Sequence, residues 1–94
     1  VAMISALVLL NVQRDAVNST AQSLLKIPGV AEVYSVTGEY DLVAILHLAR
    51  YEDLAQVVTE RMIRLTAITR TQTMMAFKAY SREDLEQAWD IGVE

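Results

Sequence analysis

Two runs of this chain, residues 3–13 and 41–49, are apolar on both parities, and nothing else in the sequence limits the fold as strongly. In the first, Ile4, Ala6, Val8, Leu10 and Val12 share one parity, while Met3, Leu7 and Leu9 share the other with Ser5 and Asn11. In the second, Leu42, Ala44, Leu46 and Leu48 alternate with Val43 and Ile45. Successive side chains of a strand point to opposite faces of its sheet. A strand that is apolar on both is therefore central, and its sheet must be covered on both sides.

The segments between these runs supply cover for one side only. Residues 14–27 change period, with Val17, Ala21, Leu24 and Leu25 forming the stripe of an amphipathic helix. Asp15 is placed to cap its start and Pro28-Gly29 to end it. Residues 30–37 mix Glu32, Ser35 and Thr37 with Val30, Val33, Tyr34 and Val36, which suits an edge strand. Residues 51–65 return to a helical stripe of Leu54, Val57, Val58, Met62 and Leu65. Residues 70–79 alternate as a second edge strand. Ser81-Arg82-Glu83-Asp84 resembles a capping box and opens a last short helix with Leu85, Ala88 and Trp89.

The order strand, helix, strand, strand, helix, strand is that of two βαβ halves. It predicts an α+β, ferredoxin-like βαββαβ fold with an antiparallel sheet in the spatial order 4-1-3-2. Strands 1 and 3 then lie in the middle, as their two-sided pattern requires. The helices cover one face, and the other needs a second copy or the last helix, because a soluble monomer rarely leaves such a patch bare. The composition agrees. With 94 residues this is one small domain, yet 53 % of them are hydrophobic, above the usual ~45–50 %.

Several function classes lose support here. The net charge is −4 and the eight basic residues are scattered, so there is no basic face to displace counterions from nucleic acid. The longest apolar run, residues 4–10, is interrupted by Ser5 and falls far short of the ~20 residues that span a bilayer. The absence of cysteine and of a signal peptide favours the cytoplasm. There is no phosphate-binding glycine loop, metal-spaced His/Cys set or Ser/His/Asp grouping, so no metal, cofactor or catalytic residue is expected.

Along the hairpin of the second and third strands, Pro28-Gly29-Val30, Val33 and then Val36-Thr37-Gly38-Glu39-Tyr40-Asp41-Leu42 resemble the effector (RAM) domain of the Lrp/AsnC, or feast/famine, regulators. Arg70-Thr71-Gln72-Thr73 is similar to that family's Arg-Thr-x-Thr opening of the last strand. The resemblance covers residues 3–79 and leaves 80–94 as a C-terminal helical extension. It implies a homodimer whose two sheets face each other as a dimeric α/β sandwich or barrel. Rings, commonly tetramers of dimers, with a free amino acid bound between dimers are implied as well. The family usually carries a helix-turn-helix domain, for which this chain has no room, so it resembles the stand-alone members. Such a protein acts on transcription indirectly, either by joining full-length Lrp/AsnC regulators or by reporting free amino acids. One departure is Thr66-Ala67-Ile68, where the family often repeats Pro-Gly-Val.

An amino acid needs an acceptor for its ammonium and donors for its carboxylate. Asp41 can be the acceptor. The backbone around Gly38 and the hydroxyls of Thr37 and Thr71 can be the donors, and Tyr40 can wall the side-chain pocket. The expected ligand-binding set is Thr37, Gly38, Glu39, Tyr40, Asp41, Thr69 and Thr71. A plainer reading stands beside it. Gly38 then merely permits positive φ, Glu39 and Asp41 are solvated turn residues, and the threonines fill a strand. An alternative of another class is a cofactor-free, monooxygenase-like enzyme of the dimeric α+β barrel kind. It would need a pocket between sheet and helices lined by His, Trp or Asn, and His47 and Asn11 are its only hints.

Overall fold

Strands β1 (Ile4–Val12) and β3 (Leu42–Leu48) run antiparallel at the centre of a four-stranded sheet in a computed structural model that describes residues 4–78, 80 and 82. β2 (Val30–Ser35) lies outside β3 and β4 (Ile68–Met75) outside β1, giving the expected order β2-β3-β1-β4. All the pairings are antiparallel.

The two parities of the central strands meet different surroundings. Ala6, Val8 and Leu10 of β1 and Leu42, Ala44 and Leu46 of β3 are fully buried. They form one core with Leu24 of helix α1 (Val17–Leu25), Leu54 of helix α2 (Tyr51–Gln56), and Val57 and Met62 just beyond α2. Each valine, leucine or methionine side chain so removed from water stabilises the fold by about 1.5–3 kcal/mol, and each alanine by less. Leu7, Leu9, Val43 and Ile45 point the other way and remain partly exposed. Tyr34, opposite Val43, and Met74, opposite Leu7, extend that apolar face to both edge strands and are exposed themselves.

Both helices differ from the expected ones. A 3-10 turn, Arg14–Ala16, precedes α1, and Asp15 makes no capping hydrogen bond. Thr20 and Leu24, four residues apart, face the core, whereas Leu25, a further ~100° around the axis, is half exposed. The second helix is not continuous. α2 passes into a π-helical turn, Val57–Arg61, and then a 3-10 turn, Met62–Arg64. A π turn is wider than an α turn, its hydrogen bonds reaching five residues along, and with it both Val57 and Met62 lie in the core.

Strand bounds shift as well. β4 begins at Ile68 rather than Arg70, because a bulge between Asn11 and Val12 brings Ile68 opposite Val12. Gly29, before β2, has φ +98°, and a Cβ there would collide with the side chain of Leu48. The short helix expected after residue 80, with Leu85, Ala88 and Trp89, lies outside the described residues.

Candidate functional site

The segment between β2 and β3 folds into a closed corner tied to the end of β1. Val36 N–H donates to the Asp41 carbonyl at 3.1 Å, and Asp41 N–H donates to the Leu10 carbonyl at 2.9 Å. Gly38 stands at the exposed tip with φ +112°, a conformation that glycine adopts without steric cost, and open space surrounds the position of its absent Cβ.

Asn11 organises the corner. Its Nδ2 donates to the Glu39 carbonyl at 2.8 Å and to Asp41 Oδ2 at 3.4 Å, and Asp41 Oδ2 also accepts the Val12 N–H at 3.0 Å. The Asn11 carbonyl in turn accepts the Thr69 hydroxyl at 3.2 Å. Asp41 is therefore no loose turn residue. One carboxylate oxygen holds the corner to β1, and among the described residues no donor meets the other.

Tyr40 is buried, with only 8 % of its surface exposed, and its hydroxyl donates to Gln72 Oε1 at 2.6 Å. The guanidinium of Arg70 lies over its ring, 5.0 Å from the centroid. Asn11, Arg70 and Gln72 share the face that carries Leu7 and Leu9, since Arg70 pairs with Asn11 and Gln72 with Leu9 in register. The corner and β4 thus meet over one end of the apolar open face.

The structure divides the expected residues. Gly38, Glu39, Tyr40 and Asp41 lie in the corner with Thr37, which is exposed. Thr69 reaches it through Asn11. Thr71 does not, because it is opposite Leu10 on the helix side of the sheet. There it lines a groove of about 570 Å³ with Val58, Met62, Ile63 and Thr69. The expectation omitted Asn11, Arg70 and Gln72. A signal for Asn11 existed, since it interrupts the apolar stretch of residues 6–12.

Charge is sparsely paired. Among the described residues the one ion pair is Arg50–Asp53 at 3.2 Å. On β2 the Tyr34 hydroxyl donates to Glu32. That hydrogen bond, then the charge of the same carboxylate, then desolvation raise the Tyr34 phenol above the ordinary tyrosine range.

The pocket that the enzyme alternative needs is met only in part. Beneath the central strands the space toward the helices is filled by the core, and the groove beside β4 has no His, Trp or Asn in its lining; His47 instead lines a smaller groove of about 300 Å³, between the end of β3 and α2, with Gly29, Gln56 and Arg61. His47 Nδ1 sits 3.1 Å from Ser5 Oγ at the far end of the sheet. No group of three potential metal ligands occurs among the described residues, and none of their helices is long and apolar enough to cross a membrane.

Comparison with known proteins follows the same line. A family model described as the Lrp/AsnC ligand binding domain matches residues 5–85. The HTH-type transcriptional regulator PF0250 of Pyrococcus furiosus is 33 % identical over 63 residues, which are 67 % of this chain and 42 % of that protein. The chain thus spans less than half the length of this curated relative. The crystal structure of TTHA0845 from Thermus thermophilus is 45 % identical with TM-score 0.80, covering 85 % of this chain and 100 % of that one. At 18 % identity the fold recurs, with TM-score 0.76, in the transcriptional regulator NMB0573 of Neisseria meningitidis in complex with L-Met. That match covers 84 % of this chain and 53 % of the regulator.

Proposed function

This chain belongs to the Lrp/AsnC ligand-binding-domain family, and on that basis we propose that it is an amino-acid-binding, self-assembling module that modulates transcription without contacting DNA itself. The observation that carries the reading is the corner. Asn11 and Asp41 hold it firmly on β1 while its tip at Gly38 stays open, so a small ligand can approach a preformed backbone. The L-Met complex of NMB0573, a protein of the same fold, supports an amino acid as the ligand class.

Assembly is the second half of the proposal. Leu7, Leu9, Val43 and Ile45, flanked by Tyr34 and Met74, form an apolar face that a second copy covers, sheet against sheet. Dimers then join into rings, in a tetramer of dimers, with the amino acid between them. The ligand does no chemistry. It favours one assembly by binding it more tightly, and the same free energy couples assembly to ligand concentration. Full-length regulators of the family, reached through the same face in the cytoplasm, are the proposed route to transcription. The net charge of −4 fits a module that leaves DNA to its partners.

Calorimetric titration with each of the twenty common L-amino acids tests this reading. Saturable binding of at least one, weakened by Asp41→Ala, is the expected result. Binding of none of them, at protein and ligand concentrations that reach millimolar affinity, would remove the sensing role.

A further inference from the structure

We propose that Arg70 is the carboxylate clamp of the effector site and Tyr40 the platform that aims it. The site would then select a zwitterion, an amino acid with both its ammonium and its carboxylate free, over the matching amide. This rests on the amino-acid reading above and adds to it a residue and a selection rule.

Three observations carry the inference. The first is placement. Arg70 is the cross-strand partner of Asn11, and the Asn11 amide is bonded to both Glu39 and Asp41. A cation and an anion thus flank one asparagine on one face of the sheet, although they are 29 residues apart in sequence. The second is that they do not neutralise each other. Among the described residues neither Arg70 nor Asp41 takes part in an ion pair. Two opposite charges that both neighbour Asn11 and are not joined to each other can take the two ends of a zwitterion.

The third observation is how Arg70 is held. Its guanidinium rests over the Tyr40 ring at 5.0 Å, and the Tyr40 hydroxyl is bonded to Gln72 at 2.6 Å, so the ring is fixed at both ends. Stacking spares the N–H edge of a guanidinium, and that edge forks onto a carboxylate in two parallel hydrogen bonds. Asp41 complements it. Its Oδ2 is occupied by Val12 and Asn11, which leaves Oδ1 for the ammonium. Backbone N–H groups near Gly38 could receive a carboxylate alone, but they would discriminate far less against an uncharged amide. Charged hydrogen bonds are about twice as strong as neutral ones.

The test titrates wild type, Arg70→Met and Arg70→Lys with the twenty common L-amino acids and with the amide of each one that binds. Wild type is expected to favour the acid over its amide by about tenfold or more. Arg70→Met should weaken binding of the acid by a similar factor and leave the amide unchanged, so that the preference collapses. Arg70→Lys, which keeps the charge and loses the fork, should retain part of it. If Arg70→Met keeps the wild-type affinity and preference, the clamp is overturned while amino-acid sensing stands. If wild type binds no amino acid, both fall. Should Arg70→Met fail to match the wild-type circular dichroism spectrum, Arg70→Lys decides, and an unchanged acid-to-amide ratio in it overturns the clamp.

Discussion

The Oδ2 atom of Asp41 accepts the backbone N–H of Val12 at 3.0 Å, joining the corner before β3 to the last residue of β1. A carboxylate that could serve only a ligand is thereby also a structural acceptor. Its structural role and the ligand role proposed for it separate by substitution.

Asp41→Ala leaves the part-buried Val12 N–H without its acceptor, at a cost of about 1–3 kcal/mol. Asp41→Asn keeps an oxygen there and removes the charge. Urea unfolding at matched protein concentration should show the loss for alanine and less than about half of it for asparagine. Amino-acid affinity should fall in both. A stable Asp41→Asn protein with wild-type affinity would show that the charge takes no part in binding.

Gly29 and Gly38, both at positive φ, should respond unequally. At Gly29, φ is +98° and an added Cβ runs into Leu48, whereas at Gly38, φ is +112° and the surrounding space is open. Gly38→Ala should therefore cost about 1–2 kcal/mol from backbone strain alone. Gly29→Ala should cost at least about 1 kcal/mol more, since overpacking of the buried Leu48 adds to the strain. Thermal or urea unfolding of the two variants side by side measures the difference.

The Tyr34 phenol is raised above the ordinary tyrosine range, first by its hydrogen bond to Glu32, then by that carboxylate's charge and by desolvation. The folded state holds this proton more tightly than the unfolded chain. The resulting stability is complete below the unfolded tyrosine pKa of ~10 and is lost as pH rises through the folded value. Absorbance titration should show Tyr34 ionising later than an exposed tyrosine. Glu32→Gln should bring it back toward the ordinary range.

Much of the fold is legible in the residues. Apolar residues on both parities of residues 3–13 and 41–49 placed those strands in the centre, and β1 and β3 are there. The helices were less legible. A periodic stripe gives a phase but not the break in it, so the π turn at Val57–Arg61 and the outward turn of Leu25 depend on packing. The corner announced itself through Gly38 and its polar neighbours. Arg70 did not, because both parities of residues 70–73 are polar and either could face the corner. Only the register that sets Arg70 against Asn11, with Thr71 on the opposite face, decides between them. That register depends on a bulge that the local sequence does not mark.

The most direct test of the account is sedimentation velocity on wild type and on Ile45→Glu at micromolar concentration. Ile45 is half-buried on the apolar face, and a charge there would be desolvated by a facing copy without a partner. The expected result is a wild-type dimer, or a multiple of it, and an Ile45→Glu protein that sediments as a folded monomer. A wild-type protein that is monomeric throughout, or an Ile45→Glu protein that assembles as well as wild type, would contradict the covered sheet and the shared amino-acid site that depends on it.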